Sequence, residues 1–100
     1  MRLTKVMTEI MAVVDGATTE QPVWGLTVLE KTGRGPSSIY PALERLEEIG
    51  WIEGRWETSE SANRPRRRYY WPTPQGQRGL RQRKTRPFAL WHRSVRTADL

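Results

Sequence analysis

The sequence of 100 residues contains no cysteine, and this absence excludes several classes of protein. A disulfide scaffold, a thiol nucleophile and a cysteine-ligated zinc or iron–sulfur site all require that residue. One histidine, His92, is too few for a zinc site built from imidazoles. His92, Ser94 and Asp99 lie within one short segment, which cannot build the geometry of a catalytic triad. No glycine-rich phosphate-binding loop is present either. We predict that the chain is not an enzyme and uses no cofactor or metal.

Long apolar runs are also missing. The mean hydropathy is −0.75, and no stretch is long and apolar enough to predict a transmembrane helix. The apolar positions between Leu3 and Val14 are interrupted by Lys5 and Glu9, which is not typical of a secretory signal. We therefore expect a cytoplasmic protein with no membrane partner. The length fits a single domain with a thin core.

Acidic residues are scarce in the distal part of the chain. Residues 1–57 have a net charge of −3, whereas residues 58–100 contain eleven Lys or Arg and two acidic residues, a net charge of +9. A strongly basic half beside an acidic one indicates a polyanionic partner, such as a nucleic acid. The other interpretation, a basic tail that only aids solubility, stays open for residues 76–100.

Apolar periodicity predicts three helices in the first half. Residues at i, i+3, i+4, i+7, i+8 and i+11 from Leu3 to Val14 share one helical face. A second helix is predicted from Pro22 or Val23 to Lys31, with Gly33 at its C′ position. The clearest pattern is that of the third helix, whose apolar positions are Ile39, Leu43, Leu46 and Ile49. Its carboxylates Glu44, Glu47 and Glu48 are interpreted as a solvated helix face rather than a catalytic or metal-binding group.

The start of the third helix has two possible positions. If Ser38 is the N-cap, Pro41 lies in the first turn, where no intrahelical N–H partner is lost. If the helix begins at Gly35 or Pro36, Pro41 lies in its interior and kinks it. The sequence leaves both alternatives open.

Two β-type runs follow, over residues 51–57 and 66–71, separated by a polar loop. They predict a hairpin with a basic tip that ends at Pro72. Thr73 and Pro74 predict the start of a further helix, a poor one because Gly76 and Gly79 are expected to interrupt it. We predict one domain over residues 1–74 and a short basic helical tail over residues 75–100.

The order helix, helix, tight turn, helix, hairpin predicts a mainly α fold with a small β-hairpin, the winged helix-turn-helix. In that fold the third helix enters the major groove of DNA and the hairpin, or wing, reaches the neighbouring backbone. The N-terminus of a helix also presents free N–H groups and a partial positive charge to phosphate. In a strand, Arg66 and Arg68 share one face and Arg67 the other, so at least one of them should be structural. The predicted DNA-binding residues are Arg34, Ser37, Ser38, Tyr40, Pro41, Arg45, Arg64, Arg66 and Arg67.

Two segments resemble the PadR-type transcriptional regulators. Residues 39–53, IYPALERLEEIGWIE, are similar to the family's recognition-helix string LYPALxRLEExGLIE. Residues 66–70, RRRYY, with residues 73–76, TPQG, are similar to the family's wing strand and the RRYYRLTxxG string that leaves it. Residues 22–29 match the family's second helix more weakly, so that the resemblance covers about residues 3–76.

The resemblance implies a homodimeric DNA-binding repressor with an extended C-terminal dimerisation helix, whereas this tail has only about 25 residues and contains Pro87. We predict a homodimer that binds an inverted-repeat operator in double-stranded DNA. Nothing in the sequence indicates a small-molecule effector, although one is possible. The alternative is a winged-helix protein-interaction module whose basic half binds RNA or an acidic partner. The apolar face of the first helix is longer than a core of this size needs. The predicted dimerisation residues are Leu3, Val6, Met7, Ile10, Phe88, Trp91 and Val95.

Overall fold

The computed structural model describes residues 3–58 and 65–82. Its elements are α1 (Lys5–Val14), β1 (Val23–Trp24), α2 (Gly25–Thr32), α3 (Pro36–Glu48), β2 (Ile52–Trp56) and β3 (Arg68–Pro72). Residues 74–82 are helical and are called α4. This is the predicted order with one additional strand. Over these two ranges no helix has the length and apolar character needed to cross a membrane.

The core lies between the first three helices, the sheet and α4. It is made of aliphatic and methionine side chains with one tyrosine: Leu3, Met7, Ile10, Met11, Val14, Val28, Ile39, Leu43, Leu46, Ile52, Tyr70 and Leu80. The helix α1 begins at Thr4, whose Oγ1 accepts a hydrogen bond of 3.1 Å from the N–H of Met7. This side-chain cap satisfies one of the free N–H groups of the first turn.

The same core accounts for most of the apolar face of α1. Leu3, Met7 and Ile10 are buried within the single chain, and Val6 packs against the core while keeping part of its surface exposed. Three of the four predicted dimerisation residues of α1 therefore already have apolar neighbours in their own chain. The other three, Phe88, Trp91 and Val95, lie outside the described residues.

The sheet has three antiparallel strands in the order β1-β3-β2. The hairpin register pairs Ile52 with Pro72 and Trp56 with Arg68. On the other side of β3, Val23 pairs with Tyr70. The prediction that the second helix begins at Pro22 or Val23 was wrong, because Val23 and Trp24 are extended and α2 begins at Gly25. A β-branched and an aromatic residue beside a strand edge favour pairing over a helical turn.

The turn between α2 and α3 has the predicted left-handed glycine. Gly33 adopts φ 72° and ψ 13°, and its N–H donates to the carbonyl of Leu29 at 2.9 Å. Glycine adopts this conformation without the steric cost that a Cβ atom brings. This geometry lets α3 follow α2 after only three residues.

The start of α4 is as predicted, but its glycines do not have the predicted role. Thr73 Oγ1 accepts from the N–H of Gly76 at 3.0 Å and donates to the carbonyl of Gly50 at 2.6 Å. A Cβ atom at Gly76 would overlap the backbone carbonyl of Trp51, and one at Gly79 would overlap the Trp51 indole. The two glycines therefore allow α4 to approach Trp51 closely, and the helix continues through both of them.

Candidate nucleic-acid interface

The N-terminus of α3 is open to solvent and free of acidic side chains. Gly35 is the N-cap, with no side-chain cap, and Pro36 is the first helical residue. The N–H groups of Ser38 and Ile39 both donate to the carbonyl of Gly35, each at 3.1 Å. The Ser37 and Ser38 hydroxyls are therefore not used as caps, and both residues are exposed. The first turn presents a partial positive charge and two free hydroxyls to a ligand.

The helix start at Pro36 decides between the two alternatives for Pro41. Pro41 lies inside α3, and the α-helix continues past it to Glu48. Proline has no N–H, so it cannot donate to the carbonyl four residues earlier, that of Ser37. That carbonyl is thereby left available at the exposed end of the helix.

The two sides of α3 differ completely in character. Its buried side consists of Ile39, Leu43 and Leu46. The opposite side contains an exposed stripe with spacing i, i+4, i+7 and i+11: Ser37, Pro41, Glu44 and Glu48. Tyr40, 44% exposed, lies beside this stripe. The structure thus brings four of the predicted residues, Ser37, Ser38, Tyr40 and Pro41, onto one exposed surface.

The wing arginines have different surroundings. Arg66 is exposed, whereas Arg64 lies outside the described residues. The guanidinium of Arg67 lies 3.8 Å from the centroid of the Trp24 ring, a cation–π contact that joins the wing to β1. Its Nε atom is buried, with no hydrogen-bond partner within the part of the chain that the structure describes. Of the two wing arginines in this group that the structure describes, Arg66 is the more exposed and the better placed to meet a phosphate.

Arg68 connects the wing to α3. Its Nη2 donates to Glu47 Oε2 at 2.9 Å, and its guanidinium lies 5.1 Å from the ring centroid of Trp56 and 5.7 Å from that of Tyr70. Burial alone would lower the pKa of Arg68, but the hydrogen bond and charge of Glu47 outweigh it and raise that pKa. Arg68 is thus the structural cation expected within the arginine run.

Arg34 and Arg45 also have carboxylate partners. Arg34 donates twice to Glu9 of α1, from Nε at 2.7 Å and from Nη2 at 3.0 Å. The hydrogen bond from Arg34 lowers the pKa of Glu9 below 4.5. Arg45 Nη1 lies 3.8 Å from Glu48 Oε2, and both side chains are exposed. A DNA contact by Arg34 would have to compete with its bidentate pair, whereas the pair of Arg45 is long and easily exchanged.

A groove of about 810 Å³ separates α3 from the wing. Carboxylates line the α3 side and arginines the wing side, with aromatic rings between them. Trp56, at the wing end of the groove, is 55% exposed. The lining residues are Trp24, Gly25, Tyr40, Glu44, Glu47, Glu48, Trp56, Pro65, Arg66, Arg67, Arg68 and Tyr70. Within the described ranges, no three His, Asp or Glu residues come together as metal ligands.

Two residues of this region, Trp24 and Glu47, are not among the binding residues predicted from the sequence. Trp24 was assigned to a helix, and no local signal indicates that it lies under Arg67. Glu47 was assigned to a solvated face, although it is half-buried beside Arg68. Its partner lies 21 positions away along the chain, so the pair shows no periodicity that a sequence pattern could have revealed.

Four helices, a three-stranded sheet whose β2–β3 hairpin forms the wing, and a third helix with one exposed side define a winged helix-turn-helix protein. A family model described as "Transcriptional regulator PadR-like family" matches residues 16–82. The chain therefore belongs to the PadR-like family of transcriptional regulators, which confirms the resemblance. Membership of this family implies DNA binding and a function that is not enzymatic.

Solved structures of other proteins share this fold. The chain is similar to a PadR-like transcription factor from Bacteroides fragilis, with 21% identity, a TM-score of 0.69, and coverage of 94% of this chain and 86% of that one. For a PadR family regulator from Clostridium difficile R20291 the values are 19%, 0.65, and 96% of each chain. The zinc-responsive MarR family member ZitR from Lactococcus lactis matches at 13% identity and a TM-score of 0.67, over 99% of this chain and 63% of that one. Curated proteins gave no significant match.

Proposed function

We propose that the protein is a repressor that binds an inverted-repeat operator in double-stranded DNA as a homodimer. The observation that carries this proposal is the first turn of α3, exposed, uncapped and without an acidic residue. In this fold the third helix enters the major groove, where serine hydroxyls donate to or accept from base edges. Ser37 and Ser38 are the proposed base contacts. Tyr40 and the Ser37 carbonyl, which has no N–H donor at Pro41, are the proposed contacts to the flanking nucleotides.

The wing supplies the proposed contacts to the sugar–phosphate backbone. Arg66 is exposed at the entry to β3, and Arg64, outside the described residues, precedes it by two positions. Arg67 reinforces this surface from its position on Trp24. Arg45 and Arg34 are secondary phosphate contacts in this proposal, because each must first exchange its carboxylate partner, Glu48 or Glu9, for a phosphate. Cations at these places attract phosphate without reporting the base sequence.

Dimerisation is part of the same proposal. Two-fold symmetry would place the two α3 helices about 34 Å apart, or a multiple of that, on one side of the duplex. Val6, partly exposed on α1, and the apolar residues Phe88, Trp91 and Val95 of the tail are the proposed contacts, with Leu3, Met7 and Ile10 supporting them from the core. The proposed regulator is cytoplasmic, where it has access to the DNA.

The test begins with selection of duplexes from a random pool, followed by anisotropy titrations of the enriched and a scrambled duplex. Arg66→Ala should weaken binding to both duplexes alike and reduce the slope of log K against log salt by about one per lost contact. Arg78→Ala, which removes an exposed arginine from α4, is the charge-matched control. The wild-type dimer should show a slope of about −5 to −9 if it makes ~6–10 phosphate contacts.

Three outcomes would contradict the proposal. One is a pool in which no duplex is enriched, and another is a protein that stays monomeric in sedimentation equilibrium both with and without DNA. The third is a complex of the protein with the enriched duplex from which heparin or RNA displaces the duplex as readily as an unlabelled copy of that duplex does. That last result would favour the alternative, an interaction module whose basic half binds RNA or an acidic partner.

A further inference from the structure

The glutamates of α3 differ in whether their negative charge is paired with a nearby arginine. The helix contains three glutamates and one arginine. Glu47 is paired with Arg68 at 2.9 Å, and Glu48 lies 3.8 Å from Arg45. In the part of the chain that the structure describes, Glu44 has no cation within 4.0 Å. Among the described residues, one negative charge of the helix therefore has no ion-pair partner.

Glu44 belongs to the side of α3 that faces away from the core. It follows Ser37 by seven positions and Pro41 by three, on the exposed stripe defined above. At a rise of about 1.5 Å per residue, seven positions correspond to about 10.5 Å along the helix axis. This distance is roughly three base-pair steps of B-form DNA, whose helical turn of about 34–36 Å contains 10–10.5 base pairs. Because Ser37 and Glu44 lie on the same stripe, a helix that lies along the major groove with Ser37 toward a base edge also turns Glu44 toward the DNA.

An unpaired carboxylate in the major groove is repelled by the phosphates and loses water. Only a donor on a base edge offsets these costs, and the major groove offers two: the N4 amino group of cytosine and the N6 amino group of adenine. Adenine places the N7 acceptor beside its donor, an arrangement suited to an amide. A carboxylate, which only accepts, suits cytosine. Guanine and thymine present acceptors at the corresponding positions and would be rejected.

From this geometry we infer that Glu44 is a specificity-determining residue, which accepts a hydrogen bond from cytosine N4 in each operator half-site. The inference depends on the proposed function, because it places α3 in the major groove. It differs from the solvated-face interpretation of the helix carboxylates in assigning one of them to a base. It also adds a property that the serine contacts lack, since Glu44 disfavours wrong bases by repulsion as well as favouring the right one.

The test compares duplexes selected by wild-type protein, by Glu44→Gln and by Glu30→Gln. Glu30 is exposed on α2 and does not line the groove between α3 and the wing. Its substitution is therefore the matched control for loss of one carboxylate charge. Wild type and Glu30→Gln should both require cytosine at one position of each half-site. Replacing that C·G pair by T·A should weaken their binding about 5- to 150-fold, the range for one specific base contact.

Glu44→Gln should lose this requirement at that position alone. A glutamine amide pairs with N6 and N7 of adenine, so adenine should be enriched where the wild type selects cytosine. Binding to a scrambled duplex should become tighter, because one negative charge per protomer is gone. Thermal unfolding should be unchanged, since Glu44 is exposed. The inference is overturned if Glu44→Gln enriches the same bases as wild type at every position. A wild-type protein that enriches no duplex would overturn the proposed function itself and this inference with it.

Discussion

The contact between α4 and Trp51 determines whether Gly79→Ala should stabilise or destabilise the protein. In an open helix, Gly79→Ala would stabilise the protein by about 0.8–1 kcal/mol, because alanine is the better helix former. In this structure, a Cβ atom at Gly79 would overlap the Trp51 ring. Overpacking of this kind costs about 1–3 kcal/mol. We therefore expect a net loss of about 0–2 kcal/mol, and a melting temperature lower by up to about 16 °C at ~4–8 °C per kcal/mol.

A double-mutant cycle shows whether the indole is the cause. Trp51→Ala alone should destabilise the protein, because Trp51 packs against the core. In the Trp51→Ala background the overlap is gone, so Gly79→Ala should now stabilise by about 0.5–1 kcal/mol. Urea unfolding followed by circular dichroism measures all four proteins. The proposed close approach is refuted if Gly79→Ala raises stability by the same amount in both backgrounds.

Three further predictions concern the ion pairs and the helix start. The pKa of Glu9, measured by NMR, should lie below 4.5, so the contribution of the ion pair to stability is present above pH 4.5 and disappears as the pH falls through the folded-state pKa. Arg34→Ala should return the pKa of Glu9 to its ordinary value. A Glu9 pKa that is not lowered in the wild type would contradict the ion pair. Arg68→Ala should cost about 1–3 kcal/mol in urea unfolding, since Glu47 is left half-buried without its donor, and a loss below ~0.5 kcal/mol would count against the connection. Ser38→Ala should leave the melting temperature unchanged, because Gly35 is the N-cap. It should reduce the difference in binding free energy between the enriched and the scrambled duplex by about 1–3 kcal/mol. A lowered melting temperature would identify Ser38 as structural.

Periodicity in the sequence was sufficient to predict the three main helices and the hairpin. The apolar positions of α3 recur in every turn, and each of Ile39, Leu43 and Leu46 is buried. A two-residue strand has no periodicity, so β1 could not be predicted. Its existence depends on pairing between Val23 and Tyr70, which are 47 positions apart. The same limit applies to Gly79, whose role depends on Trp51 in a different element.

The candidate site could be predicted in part, for a comparable reason. Exposed polar residues at the start of a helix after a tight turn are a local signal, and it indicated Ser37 and Ser38. Which arginines are free is not a local property. Arg34 and Arg68 are indistinguishable from Arg66 by residue type, but each has a carboxylate partner more than 20 positions away. Only the fold shows which charges are already neutralised.

The strand order β1-β3-β2 holds the wing firmly at its root, the end where β3 lies between the other two strands. Because β3 is the central strand, it is hydrogen-bonded on both sides, and the Arg68–Glu47 pair anchors its first residue to α3. The last register pair of the hairpin is Trp56 with Arg68, and the Glu57 N–H still donates to the Arg67 carbonyl at 2.7 Å. The position of β3 relative to α3 is therefore set by pairing on both sides of the strand and by one ion pair, which together fix the spacing between α3 and the root of the wing.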